Sequence, residues 1–172
     1  MMRRSRGFPP LAAPTARVLI LGSLPGQVSL RHRQYYAQPR NAFWRLMGAL
    51  FGAGPELPYV ERAARLVEQH VAVWDVCRVA VRPGSLDTSI ELDSVETNDF
   101  DAFLRAHARI GLVCFNGAAA ARLYTRLVLP RLPAPARSLH SEQLPSTSPA
   151  HASLRFEEKL ERWRIVRAFL AG

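Results

Sequence analysis

Four short runs constrain this chain most: residues 17–21, 71–76 and 110–115, in which nearly every residue is apolar, and, more weakly, 138–144. Each is short for a core helix and too apolar for a strand with one wet face. Val, Ile and Leu dominate them, so they read as strands buried on both faces, as in a parallel sheet. Between them the apolar spacing lengthens to that of helices. Residues 41–51 place Phe43, Leu46, Met47 and Leu50 on one face, and residues 60–70 group Val60, Ala63, Ala64 and Val67. Residues 98–107 begin on polar capping side chains, and residues 117–127 follow the third run directly. The tail, 153–170, sets Phe156, Leu160, Trp163, Val166 and Leu170 on one stripe and predicts a packing helix. Alternating strands and helices predict an α/β fold, a four-stranded parallel sheet with helices on both faces.

Ligands in such folds bind beyond the carboxyl ends of the strands. The candidate site loops are therefore 22–41, 75–87, 116–117 and 145–151. Residues 129–136, LPRLPAPA, read as a spacer that crosses the surface to the fourth strand. A length of 172 residues suits one domain, taken as 17–172, behind a flexible basic N-terminus, 1–16.

Charge narrows the partners. Lys and Arg total 23 against 14 Asp and Glu, a net charge of +9, and Lys159 is the only lysine. A GC-rich genome accounts for arginine in place of lysine, but not for the excess of basic over acidic residues. That excess favours a polyanion, whose condensed counterions are released on binding. Cys77 and Cys114 lie inside apolar runs and read as buried thiols in a reducing compartment. Their number and spacing fit neither an iron–sulfur cluster nor a zinc site, so no metal is expected. No run of about 18 apolar residues predicts a membrane span. The N-terminus lacks the apolar core of a signal peptide. A cytoplasmic monomer is the expectation.

The first loop, GSLPGQVSLRHRQYYAQPRNAFW, is the richest in chemistry. Gly22 and Gly26 permit a close backbone approach, and Pro25 stiffens the bend. Tyr35 and Tyr36 follow, and Arg40 and Asn41 open the next helix. An aromatic ring to stack on a base and an amide to read or activate at its edge are what a base pocket requires. Tyrosines packing into the core are the plainer alternative, as is Asn41 acting only as a helix cap.

Three blocks in this loop, GSLPG (22–26), QYYA (34–37) and PRNAFW (39–44), resemble the first signature of the uracil-DNA glycosylase superfamily, in its hypoxanthine (deoxyinosine) branch. The mismatch-specific uracil/thymine branch is similar here. The resemblance continues through WDVCRVAVRPGSLDTSI (74–90), CFNG (114–117) and SEQLPSTSPAHA (141–152), each at a strand's carboxyl end. It implies an α/β/α sandwich around a four-stranded parallel sheet, a flipped-out base, hydrolysis by water without covalent help, and no cofactor. Damaged DNA, double- or single-stranded, is the implied partner.

Departures from the family pattern redistribute the roles. The best-known uracil branch has a water-handling aspartate where this chain has Leu24, and a histidine where it has Leu144. Neither leucine can polarise water or donate to a leaving base. The hypoxanthine branch implies Asn41 as catalytic residue. Its amide oxygen can orient water, though an amide is no general base near neutral pH. Backbone N–H groups of Gly22, Ser23, Leu24 and Gly26 are suited to stabilise charge on the departing base. By resemblance Tyr36 stacks on the base and Asn116 reads its edge, with core packing and an Asn-Gly turn as the alternatives. Ser146, Ser148 and His151 are assigned to phosphate, together with Gly26 and Arg40. Asp75 or Asp87 stands as a possible second water-activating group, and capping the turn at Pro83–Gly84 is the plainer reading of both. Other readings of the whole chain are a uracil or mismatch glycosylase, a non-catalytic DNA-binding module, and a hydrolase of free nucleotides, the last without a phosphate loop to support it.

Overall fold

The computed structural model describes residues 3–172. In chain order it contains β1 (Arg4–Arg6), β2 (Val18–Gly22), α1 (Gln27–His32), α2 (Phe43–Phe51), α3 (Tyr59–Glu68), β3 (Val71–Asp75), β4 (Cys77–Val81), β5 (Glu96–Thr97), α4 (Phe100–Ala106), β6 (Leu112–Asn116), α5 (Ala118–Leu123), α6 (Ala134–Arg137), β7 (His140–Leu144) and α7 (Phe156–Ala171). Strands β3-β2-β6-β7, in that order, form one four-stranded sheet, parallel throughout. The four apolar runs are these strands, each displaced by no more than two residues. Every residue of β2, β3 and β6 is buried, whereas β7, at an edge, is largely exposed.

Side chains alternate across the sheet, as the period of a strand requires. Leu19, Leu21, Ala72, Trp74, Val113 and Phe115 face a core closed by α4 and α5. Val18, Ile20, Val71, Val73, Leu112 and Cys114 face the other, closed by α2 and α7. The tail stripe packs as predicted, with Trp163 and Val166 fully buried and Phe156, Leu160 and Leu170 partly so. Both cysteines are free and buried, and burial pushes their thiols up to about 12.

Four expectations are corrected. The stretch 1–16 is not a loose extension over its described residues. β1 pairs antiparallel with β4, Leu11 bridges the edge of β3, and Trp74 Nε1 donates to the Phe8 carbonyl. Its few apolar residues suffice because unpaired strand edges are available to receive its backbone. The loop expected at 75–87 contains β4, which leaves the main sheet after Val76 and joins β1 and β5 in a small antiparallel sheet. The loop expected at 22–41 contains α1, and the spacer 129–136 is wound into a 3-10 turn and the start of α6.

Candidate active site

The carboxyl ends of β2, β3, β6 and β7 open into one cavity of about 480 Å³, lined by all four loops that the sheet rule marked. Its floor is the GSLPG turn. The carbonyls of Gly22 through Pro25 are all engaged from the β4 side: Val76 and Cys77 donate from backbone N–H to Gly22 and Ser23, and the Arg82 guanidinium donates to Leu24 and Pro25. Peptide planarity then points the N–H groups of Ser23 and Leu24 the opposite way, on a segment that lines the cavity. Arg82 is 3% exposed and also donates to Gly84, so one buried side chain fastens the first loop to the second. Sequence reading passed over Arg82; an arginine closing the apolar run VAVR was the available signal.

Gly22 is needed for space. A Cβ there would lie 2.5 Å from Asp75 Oδ1 and 3.0 Å from Tyr36 Oη, so both groups close on this position only because it has no side chain. At Gly26 a Cβ would make ordinary contact with Ser85, so that position carries no such constraint. Ser23 donates to Asp87 Oδ1 at 2.6 Å, and Leu24, 6% exposed, contributes apolar surface only.

The two tyrosines of QYYA diverge. Tyr35 turns inward: its hydroxyl donates to the Pro9 carbonyl, its N–H to Tyr59 Oη, and its carbonyl accepts from Trp44 Nε1. Tyr36 lines the cavity with its ring stacked on Phe43 at 4.0 Å between centroids. Its backbone is left-handed, φ 55°, a conformation costly for an aromatic residue and found mostly where function holds it. The Tyr36 hydroxyl is buried without a hydrogen-bond partner. Burial, reinforced by the Asp75 charge, pushes it well above the usual phenol range.

Asn41 lines the cavity, partly exposed, and its Oδ1 accepts the Phe43 N–H at 2.9 Å. The N-cap position itself falls on Ala42, so Asn41 holds the first helical N–H from one residue earlier, and this leaves one lone pair of Oδ1 and the whole amide N–H₂ for the cavity. Asn116, 9% exposed, is locked to Thr147. Its Nδ2 donates to Thr147 Oγ1 and its Oδ1 accepts the Thr147 N–H, both at 2.9 Å. Thr147 in turn accepts from the Ala42 N–H. The amide thus keeps one N–H and one lone pair for a ligand, and its other half builds the wall.

Ser146 and Ser148 line the rim, their hydroxyls accepting backbone N–H groups within the loop, and exposed Arg40 stands opposite. His151 is exposed and does not line the cavity. Its carbonyl accepts from Lys159 Nζ at 2.7 Å, and Trp163 Nε1 donates to the Pro145 carbonyl, so α7 pins both ends of this loop.

Asp75 ends β3 at the bottom of the cavity. It is 4% exposed, and its Oδ2 is buried without a partner. Desolvation, then the negative Asp87, push its carboxyl up to about 7 against the pull of Arg82. Asp87 is the better-served carboxylate, held by Ser23 and lying 3.9 Å from Arg82. Among the described residues no group of three or more His, Cys, Asp or Glu could hold a metal, and no helix is long and apolar enough to cross a membrane.

Comparison with known proteins agrees with this fold. A family description, uracil DNA glycosylase superfamily, matches residues 9–169. A hypoxanthine DNA glycosylase of Methanosarcina barkeri (strain Fusaro) is 39% identical over 115 residues, 66% of this chain and 72% of that protein. One of the same description from Methanosarcina acetivorans is 38% identical over 113 residues, 65% of this chain and 70% of its own. A solution NMR structure of a candidate uracil DNA glycosylase from Methanosarcina acetivorans superposes with a TM-score of 0.80 at 31% identity, covering 97% of this chain and 99% of that one. By its signature loops, its parallel sheet and the span of these matches, the chain belongs to the uracil-DNA glycosylase superfamily.

Proposed function

We propose that this chain is a monofunctional DNA glycosylase that flips a deaminated base, chiefly hypoxanthine, out of DNA and removes it by hydrolysis. The observation that carries this reading is the pairing of the Tyr36 ring with the Asn41 amide on the wall of one cavity of about 480 Å³. The ring offers a stacking surface, and the amide can orient a water while remaining uncharged. The hypoxanthine glycosylases that the chain resembles at 38–39% identity support the choice of base.

Hydrolysis by water, rather than by an enzyme amine, is supported by the placement of the single lysine. Lys159 lies outside the cavity lining, 6% exposed, with Nζ bonded to the His151 carbonyl. Arg40, Ser146 and Ser148 at the rim, and Gly26 at the floor's edge, are where the flanking phosphates would lie. His151, exposed beside this loop and outside the cavity lining, would meet phosphate only beyond the flipped nucleotide. A second groove, of about 610 Å³, meets the first at Gln27 and carries Arg3, Arg4, Arg6 and Arg31. It extends the positive path for DNA, to which a monomer would bind. Uracil removal is the second reading, favoured by the description of the solved relative.

The test is incubation with duplexes and single strands carrying hypoxanthine, uracil, xanthine or a thymine mismatch, followed by alkali. Alkali-dependent breaks at hypoxanthine are the expected result, with weaker cutting at uracil. No abasic site from any base would leave a non-catalytic DNA-binding module. Breaks without alkali would contradict the monofunctional reaction.

A further inference from the structure

Asp75 has a place in the site that neither stacking nor water orientation accounts for. It lies beneath Gly22, beside the Tyr36 hydroxyl, since both groups would touch a Cβ built at that glycine. A base stacked over the Tyr36 ring with its sugar toward the Arg40–Ser148 rim would present the edge remote from that sugar toward this hydroxyl end. On hypoxanthine that remote edge is the lactam, C6=O beside N1–H, and on uracil it is the corresponding O4 and N3–H. In that pose the Asp75 carboxyl, which lines the cavity with Oδ2 buried and unpartnered, would lie toward the base's edge rather than at C1′.

Charge decides what such a carboxyl can do there. Cleavage of the C1′–N bond leaves both electrons on the base, and the negative charge spreads to its carbonyl oxygen. An ionised carboxylate at that edge would oppose departure, whereas a neutral acid would donate a hydrogen bond to the oxygen gaining charge. Building on the glycosylase reading, we propose that Asp75, as the neutral acid, donates from its buried oxygen to the lactam carbonyl of the flipped base and stabilises the charge that base acquires as it leaves. The proton is shared and stays with Asp75. Water's oxygen bonds to C1′, its proton goes to solvent, and the departed base takes one proton from solvent, so one water is consumed.

The surroundings favour the neutral form. Groups facing Asp75 are Asp87 from the turn after β4, Arg82 at the end of β4, Cys77 on β4, and Tyr35 and Tyr36 from the first loop. Arg82, the one cation among them, directs its hydrogens to the carbonyls of Leu24, Pro25 and Gly84 and not to Asp75. Burial and Asp87 prevail, and the carboxyl is held up to about 7.

The experiment measures single-turnover cleavage of a deoxyinosine duplex from about pH 5.5 to about pH 8.5 with wild type, Asp75→Asn and Asp75→Ala. Wild-type rates are expected to fall about tenfold per pH unit above about 7. Asp75→Asn, which donates from Nδ2 without titrating, is expected to give a flat profile, and Asp75→Ala a rate lower by about 10²-fold at every acidic pH. A second measurement needs no chemistry: binding of an uncleavable 2′-fluoro-deoxyinosine duplex over the same range, tighter at acid pH for wild type only. An active wild type with a flat profile, or Asp75→Asn with the wild-type bend, would overturn the role of Asp75 and leave the glycosylase standing. Wild type inactive on every base, yet binding the analogue with an Asp75-dependent pH profile, would overturn the glycosylase and keep the contact. Absence of both would overturn both.

Discussion

On the wall made by residues 36–41 the amide proposed to orient water, Asn41, is partly exposed and already bonded to the first N–H of the helix that follows; on the wall made by residues 75–87 the carboxyl proposed to act on the base, Asp75, is 4% exposed with an oxygen that has no partner. The two walls face one cavity and solve opposite problems. An amide carries no charge at any working pH, so it can sit near solvent and hold a water in place. A carboxyl at a base's edge is useful only while neutral, and only burial keeps it so near pH 7. One wall depends on hydrogen-bond geometry, the other on dielectric.

That contrast can be broken at several points. The largest effect is expected for Asn41→Ala: a single-turnover rate lower by about 10²- to 10³-fold on hypoxanthine DNA, with duplex affinity retained. Near-normal rates in this variant would remove the water-orienting role from the first wall. Next, Arg82→Met is expected to lower the free energy of unfolding by about 3 kcal/mol, because it leaves the Leu24, Pro25 and Gly84 carbonyls without their donor. Denaturant melts measure this, and an unchanged midpoint would show that Arg82 does not fasten the loops.

A pH effect on stability isolates the second wall. The Asp75 carboxyl stands at about 7 in the folded chain against an ordinary 3.8, so between these values the folded state holds a proton that the unfolded state has lost. Stability therefore falls as pH rises through this window and stays low above it. Asp75→Asn is expected to be more stable than wild type by about 2 kcal/mol at pH 8, a gain that vanishes near pH 4. A gain independent of pH would mean that the carboxyl is ionised throughout. The smallest effect concerns the basic groove. Arg3, Arg6 and Arg31 have no carboxylate within ion-pair distance among the described residues, whereas Arg4 is bonded to Glu96. Replacing these three by alanine is expected to flatten the salt dependence of DNA binding by about 2 to 3 in log–log slope, leaving single-turnover rates unchanged. An unaltered slope would place the DNA elsewhere.

Legibility differed between the walls for the same physical reason that their chemistry differs. The first wall rests on residues whose types announce their use: an aromatic pair, an amide at a helix start, a glycine–proline turn. The parallel sheet was legible too, since strands buried on both faces leave little choice of architecture. Even here the residue types alone did not separate Tyr35 from Tyr36, which only the family resemblance singled out, because which ring turns inward depends on contacts with Pro9, Trp44 and Tyr59. The second wall rests on environment. The apolar run 71–76 places Asp75 in a buried strand, but nothing local shows that its carboxyl is left without a partner beside Asp87 and the Tyr36 hydroxyl, groups brought there by other loops. The basic N-terminus looked too polar to be ordered, and only the partner edge of β4 explains why it is. Asn116 was legible as a site residue but not as the residue that holds Thr147, a contact across 31 positions.

The central claim is most directly tested by following free base. A deoxyinosine duplex incubated with excess protein at neutral pH, in the absence of any added metal or cofactor, should release hypoxanthine detectable by chromatography, in step with an abasic strand that stays intact until alkali is added. Intact deoxyinosine after many hours, or hypoxanthine released only together with a cut strand, would contradict it.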